Sequence, residues 1–252
     1  MSLMNRRTVL MTIAAALAAP RIADASNEGT DAGWIAIRSY TFKPDVDRDA
    51  LIADTEATFL PLLQSLDGFV SYYVLQPDPL TWTAVSIWRD EAASNASLAP
   101  IRSWVQEHVA GSVASGPVGV EGARAVIGFG PKEMMATPVP DGAPSWATHR
   151  TYTFKPGADR EAVIAATHDD FLPLARGLDG FEAFYAFTPA PDGWVALIIW
   201  RDQAAADAAA PTIRAWIEQH ALPAMTGEPI SEPGAVDIAA FSVAAIMATP
   251  EA

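Results

Sequence analysis

The chain has no cysteine. That excludes disulfides, thiolate zinc sites, cysteine-ligated iron–sulfur clusters and a cysteine nucleophile. Histidine is scarce as well. Of the four, His108, His149, His168 and His220, no two stand at a metal-ligand spacing, so no built-in metal centre is expected. Bases are outnumbered, 16 against 30 acids, for a formal net charge of −14 at pH 7. A surface that acidic repels phosphate backbones and anionic headgroups, which argues against nucleic acid and membrane-surface partners. No apolar run approaches the ~18–20 residues that span a bilayer. Missing too are the G-x-S-x-G elbow, the phosphate loop, the dinucleotide glycine pattern and H-E-x-x-H, and with them several familiar hydrolase and nucleotide chemistries.

What is present is a hydrophobic chain of 252 residues, half of them apolar and only 18% charged, a composition that folds. Its N-terminus reads as an address. Met1 to Thr8 carries Arg6-Arg7 and no acid, Val9 to Ala19 is apolar, Pro20 breaks the run, and Ala23-Asp24-Ala25 is a small-x-small cleavage site. Residues 1–25 are therefore expected to be a signal peptide, with a periplasmic or secreted mature protein beginning near Ser26. Asn5-Arg6-Arg7-Thr8-Val9-Leu10 resembles a twin-arginine signal, and ordinary Sec export is the other route.

The remainder repeats itself. Tyr40-Thr41-Phe42-Lys43-Pro44 recurs as Tyr152-Thr153-Phe154-Lys155-Pro156, 112 residues later. The same offset carries Leu66-Asp67-Gly68-Phe69 to Leu178-Asp179-Gly180-Phe181, and Ile87-Trp88-Arg89-Asp90 to Ile199-Trp200-Arg201-Asp202. It also pairs all eight tryptophans: Trp34 with Trp146, Trp82 with Trp194, Trp88 with Trp200 and Trp104 with Trp216. A period this long is a domain, not a solenoid repeat. The expected units are 26–138 and 139–252, with Val139-Pro140-Asp141-Gly142-Ala143-Pro144 as linker.

Within one unit the pattern predicts a strand from Trp34 to Phe42, then a helix capped by Asp47 through Leu51, Ile52, Phe59 and Leu62 to Gly68. Pro61, repeated as Pro173, should kink that helix. Strands follow over Phe69–Leu75 and Trp82–Trp88. A second helix runs from Glu91 to about Val109, and a last strand from Ala123 to Phe129. The order βαββαβ is the ferredoxin-like arrangement, an α+β fold.

A strand ending in Lys-Pro, Leu-Asp-Gly-Phe opening the next strand, and Ile-Trp-Arg-Asp before an Ala-rich helix resemble the antibiotic-biosynthesis-monooxygenase family of the dimeric α+β barrel superfamily. The resemblance implies that the two tandem units close one intramolecular pseudo-dimeric barrel with their sheets face to face. It also implies a monooxygenase without metal or flavin, in which a small aromatic or quinol-like substrate itself reacts with oxygen in an apolar pocket. The alternative is a non-catalytic protein of the same fold that binds a small ligand or haem. A haem-degrading branch of the superfamily has a histidine on its second helix, near the places of His108 and His220.

The candidate polar groups are those repeated in both units. Arg38 and Tyr40, and likewise Arg150 and Tyr152, share one face of their strand with Phe42 or Phe154. An Arg there can stabilise a phenolate or enolate, and a Tyr can donate a proton. The bland reading is a core Tyr and an Arg pairing a carboxylate at the sheet edge. His108 and His220 are the rival catalytic pair. The tryptophans read as core. At equivalent positions His149 replaces Ile37, His168 replaces Glu56 and Arg176 replaces Gln64, so one unit can work while the other is structural.

Overall fold

The computed structural model describes residues 33–129 and 144–241; the expected signal peptide, and all of the expected linker but Pro144, lie outside them. The first half runs β1 (Trp34–Phe42), α1 (Arg48–Asp54), a π-helical turn (Thr55–Phe59), α2 (Leu60–Ser65), β2 (Phe69–Asp78), β3 (Thr81–Trp88), α3 (Glu91–His108) and β4 (Val113–Phe129). The second runs β5 (Ser145–Thr153), α4 (Arg160–Ala166), a π-helical turn (Thr167–Phe171), α5 (Leu172–Arg176), β6 (Phe181–Thr188), β7 (Gly193–Trp200), α6 (Gln203–Trp216) and β8 (Ile230–Phe241), with a π turn (Ile217–Ala221) and a 3-10 turn (Leu222–Ala224) before β8.

The eight strands form one closed antiparallel barrel, in the order β1-β3-β2-β8-β5-β7-β6-β4. Each half contributes four consecutive strands. β5 pairs β7 in the register in which β1 pairs β3, Trp146 opposite Trp200 as Trp34 is opposite Trp88. The long last strand of each half makes the closure. β4 pairs β1 through Ala123 and then β6 of the other half; β8 pairs β5 and then β2. The halves are thus joined edge to edge by hydrogen bonds, not merely stacked face to face. Closure leaves no sheet edge open between them.

Because side chains alternate across a strand, each strand feeds two cores. Ile35, Ile37, Tyr73, Val85, Tyr185 and Leu197 fill the barrel interior. Residues of opposite parity pack under the helices, Tyr72, Trp82 and Trp88 in one half and Phe184, Trp194 and Trp200 in the other. With both faces covered, β6 and β7 read as near-continuous apolar runs.

Two expectations need correction, the end of the first helix and the start of the last strand, and the repeated prolines bring a local geometry of their own. At Pro61 and Pro173 the structure has π-helical turns, in which the N–H of Leu60 reaches Thr55 O and that of Leu172 reaches Thr167 O. The widened turn stands just ahead of the residue that has no N–H to give. The first helix ends at Ser65, before Gly68. Gly68 serves a close approach instead: it has φ +77°, and a Cβ there would stand 2.5 Å from Ala93 Cβ on α3. The last strand of the first half begins at Val113, ten residues before Ala123. Its early part contains Gly116-Pro117, which suggests a loop, but the pair lies where the β1–β4 register shifts. Bulges are where a sheet tolerates proline.

Candidate active site

On β5 the residues of even number face the helices. Tyr152 and Phe154 are buried there among Phe171, Phe184 and Trp194. Arg150 and Tyr152 line a cavity of about 30 Å³, walled by Thr167 and Phe171 from the π turn, Phe184 and Trp194 from the sheet, and Ile213 and Trp216 from α6. Among the described residues Arg150 has no carboxylate partner. Burial pushes its guanidinium below the ordinary arginine value, opposed by the neighbouring Tyr152. Burial likewise pushes the Tyr152 phenol up to about 12, opposed by Arg150 and assisted by Glu228. At neutral pH the site therefore offers a fixed cation and a protonated phenol. It can hold an oxyanion and give a proton.

The equivalent face of the first half is wired differently. Arg38 pairs with Glu121 on β4 at 3.1 Å; Pro233 stands at the equivalent position in β8. Trp104 Nε1 donates to Thr58 Oγ1 at 2.8 Å. His108 Nδ1 lies 2.7 Å from Asp54 Oδ2, with its ring stacked on Trp104 at 4.8 Å. In the second half Thr58 is replaced by Asp170 and Asp54 by Ala166. His220 still stacks on Trp216, at 5.0 Å, but the Trp216 Nε1 is buried without an acceptor. Such an unpaired donor costs about 1–3 kcal/mol. Tyr72 and Val109 of the first half become Phe184 and Ala221 at the cavity, one hydroxyl and two methyls smaller.

Trp216 has a second exposure. It also lines a surface groove of about 470 Å³ with Leu174 of α5 and Pro211, Thr212, Ala215 and Gln219 on the α6 side. Trp216 is common to groove and cavity.

The remaining candidates are placed as follows. Arg38 takes the bland role, a surface ion pair. Tyr40 is half-buried against the first-half core, its phenol raised by burial and opposed by Arg38. His220 stands behind Trp216 and does not line the cavity. His149 points into the barrel, where it is 7% exposed. Its Nδ1 meets Glu232 Oε2 at 2.9 Å, while Nε2 is buried without a partner. His168 is at the surface beside Asp169. No group of three or more potential metal-ligating side chains occurs among the described residues.

The sequence reads Trp216 as core, and it does pack against the second-half core, but it also lines the cavity and the groove. The repeat offset carries the signal: Thr58 and Asp54, the partners of Trp104 and His108, become Asp170 and Ala166 opposite Trp216 and His220, and Glu121, the partner of Arg38, becomes Pro233.

No protein-family model matches the chain, and no curated protein does. Solved structures do. A protein from Lactobacillus acidophilus, provisionally named a monooxygenase, matches with a TM-score of 0.67 at 15% identity, over 84% of this chain and 97% of its own. One so named from Fusobacterium nucleatum gives 0.63 at 11% identity, covering 84% and 95%. An anthrone oxidase-like protein gives 0.53 at 10%, covering 84% and 94%. What these likenesses establish is the fold, a mixed α+β architecture around a closed eight-stranded antiparallel barrel.

Proposed function

We propose that the protein is a monooxygenase acting on a small aromatic or quinol-like substrate without metal or flavin, and that the second half holds its site. The observation that carries this reading is the unpaired Arg150 beside a protonated Tyr152 in an apolar cavity. A phenolate held against Arg150 would give electrons to dioxygen to form a carbon–peroxide bond, Tyr152 would protonate that peroxide, and cleavage of the O–O bond with loss of the ring hydrogen would leave a quinone and release the second oxygen as water. The names of two structural neighbours agree with such chemistry. The halves are proposed to be duplicated ferredoxin-like units of the antibiotic-biosynthesis-monooxygenase type, 26–138 and 139–252. What supports this is the shared 112-residue offset and the matching strand registers. Export to the periplasm or beyond is proposed from the Arg6-Arg7 segment and the Ala-x-Ala site; mass spectrometry of the mature terminus tests it.

Oxygen uptake with phenolic and quinol-like substrates tests the activity. Turnover by metal-free protein, stoichiometric in oxygen, is expected. Saturable binding of the same compounds with no oxygen consumed would leave a binding protein and defeat the enzyme.

A further inference from the structure

A benzene ring needs a cavity of roughly 150 Å³. The space around Arg150 and Tyr152 is about 30 Å³, room for about one water. An aromatic ligand therefore enters only if a wall moves. Most of that wall is fixed: Phe171, Phe184 and Trp194 are 3–4% exposed members of the second-half core. Trp216 is different. It is only partly buried, it lines both the cavity and the 470 Å³ groove outside it, and its Nε1 has no acceptor. Its counterpart Trp104 is 9% exposed, bonded to Thr58 and stacked on a histidine that Asp54 holds. The second half has lost both attachments.

We infer that the groove between α5 and α6 is the mouth of the second-half site and that Trp216 is its door, admitting an aromatic oxyanion to Arg150. The inference rests on the placement of the site in the second half. Once inside, the ligand meets a guanidinium, a phenol and an indole N–H, and no carboxylate among the cavity-lining residues. Donors of that kind select an anion rich in acceptors.

The first half supplies the lock with which to test the door. Asp170→Thr with Ala166→Asp places the first-half partners opposite Trp216 and His220. Neither position lines the cavity, Asp170 being exposed and Ala166 half-buried. In ligand-free protein labelled with 5-fluorotryptophan, the Trp216 resonance is expected to show microsecond-to-millisecond exchange that Trp104 lacks. The double variant should abolish it. In stopped-flow binding of 2-naphthoate, the double variant should slow association at least tenfold, and Trp216→Ala should accelerate it. The two readings fail separately. Arg150-dependent binding of 2-naphthoate with a Trp216 resonance as quiet as Trp104 would overturn the door and leave the site. An exchanging Trp216 with 2-naphthoate binding indifferent to Arg150→Ala would overturn the site, and with it the door's purpose. If Asp170→Thr with Ala166→Asp unfolds the protein, Asp170→Thr alone still places a hydroxyl where Trp104 has its Thr58 acceptor, and an undiminished exchange in it overturns the door.

Discussion

Arg150 differs from Arg38 by one missing neighbour: Pro233 stands where the first half has Glu121. Arg38 shares its charge with a half-exposed carboxylate, and a surface pair of that kind contributes little to stability. Arg150 has no carboxylate partner among the described residues and stands beside Tyr152 in a mostly apolar cavity, which on the proposed reading leaves its charge to a ligand. Pro233→Glu should therefore tie Arg150 down and lower turnover nearly as far as Arg150→Ala does, without unfolding the protein. Circular dichroism and oxygen uptake on the same samples would check it; unchanged turnover would mean the free charge is idle. His149 makes a separate residue-scale prediction. Its Nε2 is buried and unpaired where the first half has Ile37, and Glu232, its other partner, is half exposed. His149→Ile should stabilise the fold by about 1 kcal/mol, seen as a higher urea midpoint at constant slope.

At the scale of elements, the helices begin alike. Asp47, Asp90, Asp159 and Asp202 each accept from a backbone N–H three residues on, at Ala50, Ala93, Ala162 and Ala205. Removing such a cap costs about 1 kcal/mol, so Asp90→Ala and Asp202→Ala should each lower the thermal midpoint by a few degrees. A near-zero shift would show that neighbouring packing alone sets the helix start. These caps explain why the repeated motifs were legible. In each half one arginine, Arg89 or Arg201, joins the Asp of Leu-Asp-Gly-Phe to the cap Asp of Ile-Trp-Arg-Asp; it holds Asp67 and Asp179 below the ordinary carboxyl range, while Asp90 and Asp202 are lowered first by the Ala93 and Ala205 N–H groups they cap and then by the arginine. Local chemistry of this kind is written in contiguous residues. The early part of β4 was not legible, because its glycines and its Gly-Pro pair read as loop until β1 supplies the pairing partner. The π turns were equally hidden: a proline announces a lost donor, but not which geometry absorbs it. For the site, sequence fixed the strand face of Arg150 and Tyr152. It could not show that Arg150 lacks a carboxylate, since Glu121 and Pro233 lie on another strand.

At the scale of the whole molecule, the two halves share one barrel interior. Tyr73 and Tyr185, from opposite halves, meet hydroxyl to hydroxyl at 2.7 Å inside it. Their strands close through β2–β8 and β4–β6. Unfolding should therefore be one cooperative transition, with coincident fluorescence and circular dichroism curves; two resolved transitions would contradict the shared core. The buried tyrosines set its alkaline limit. Burial raises Tyr72, Tyr73 and Tyr152 above the ordinary value near 10, Tyr152 to about 12. Below about pH 10 both folded and unfolded chains keep these protons, and the stability they contribute is intact. As pH rises from about 10 to 12 the unfolded chain releases protons that the folded chain retains, so stability falls. Urea midpoints measured across that window should decline, and less steeply in Tyr152→Phe.

The measurement that bears most directly on a second-half site is a paired comparison of Arg150→Ala with Arg38→Ala in one oxygen-uptake assay, each variant confirmed folded. Removing one pre-organised donor typically costs on the order of 10²–10³ in turnover. Arg150→Ala should lose that much and Arg38→Ala less than a factor of about two, since it breaks only a surface pair. Equal losses in the two, or full activity in Arg150→Ala, would contradict it.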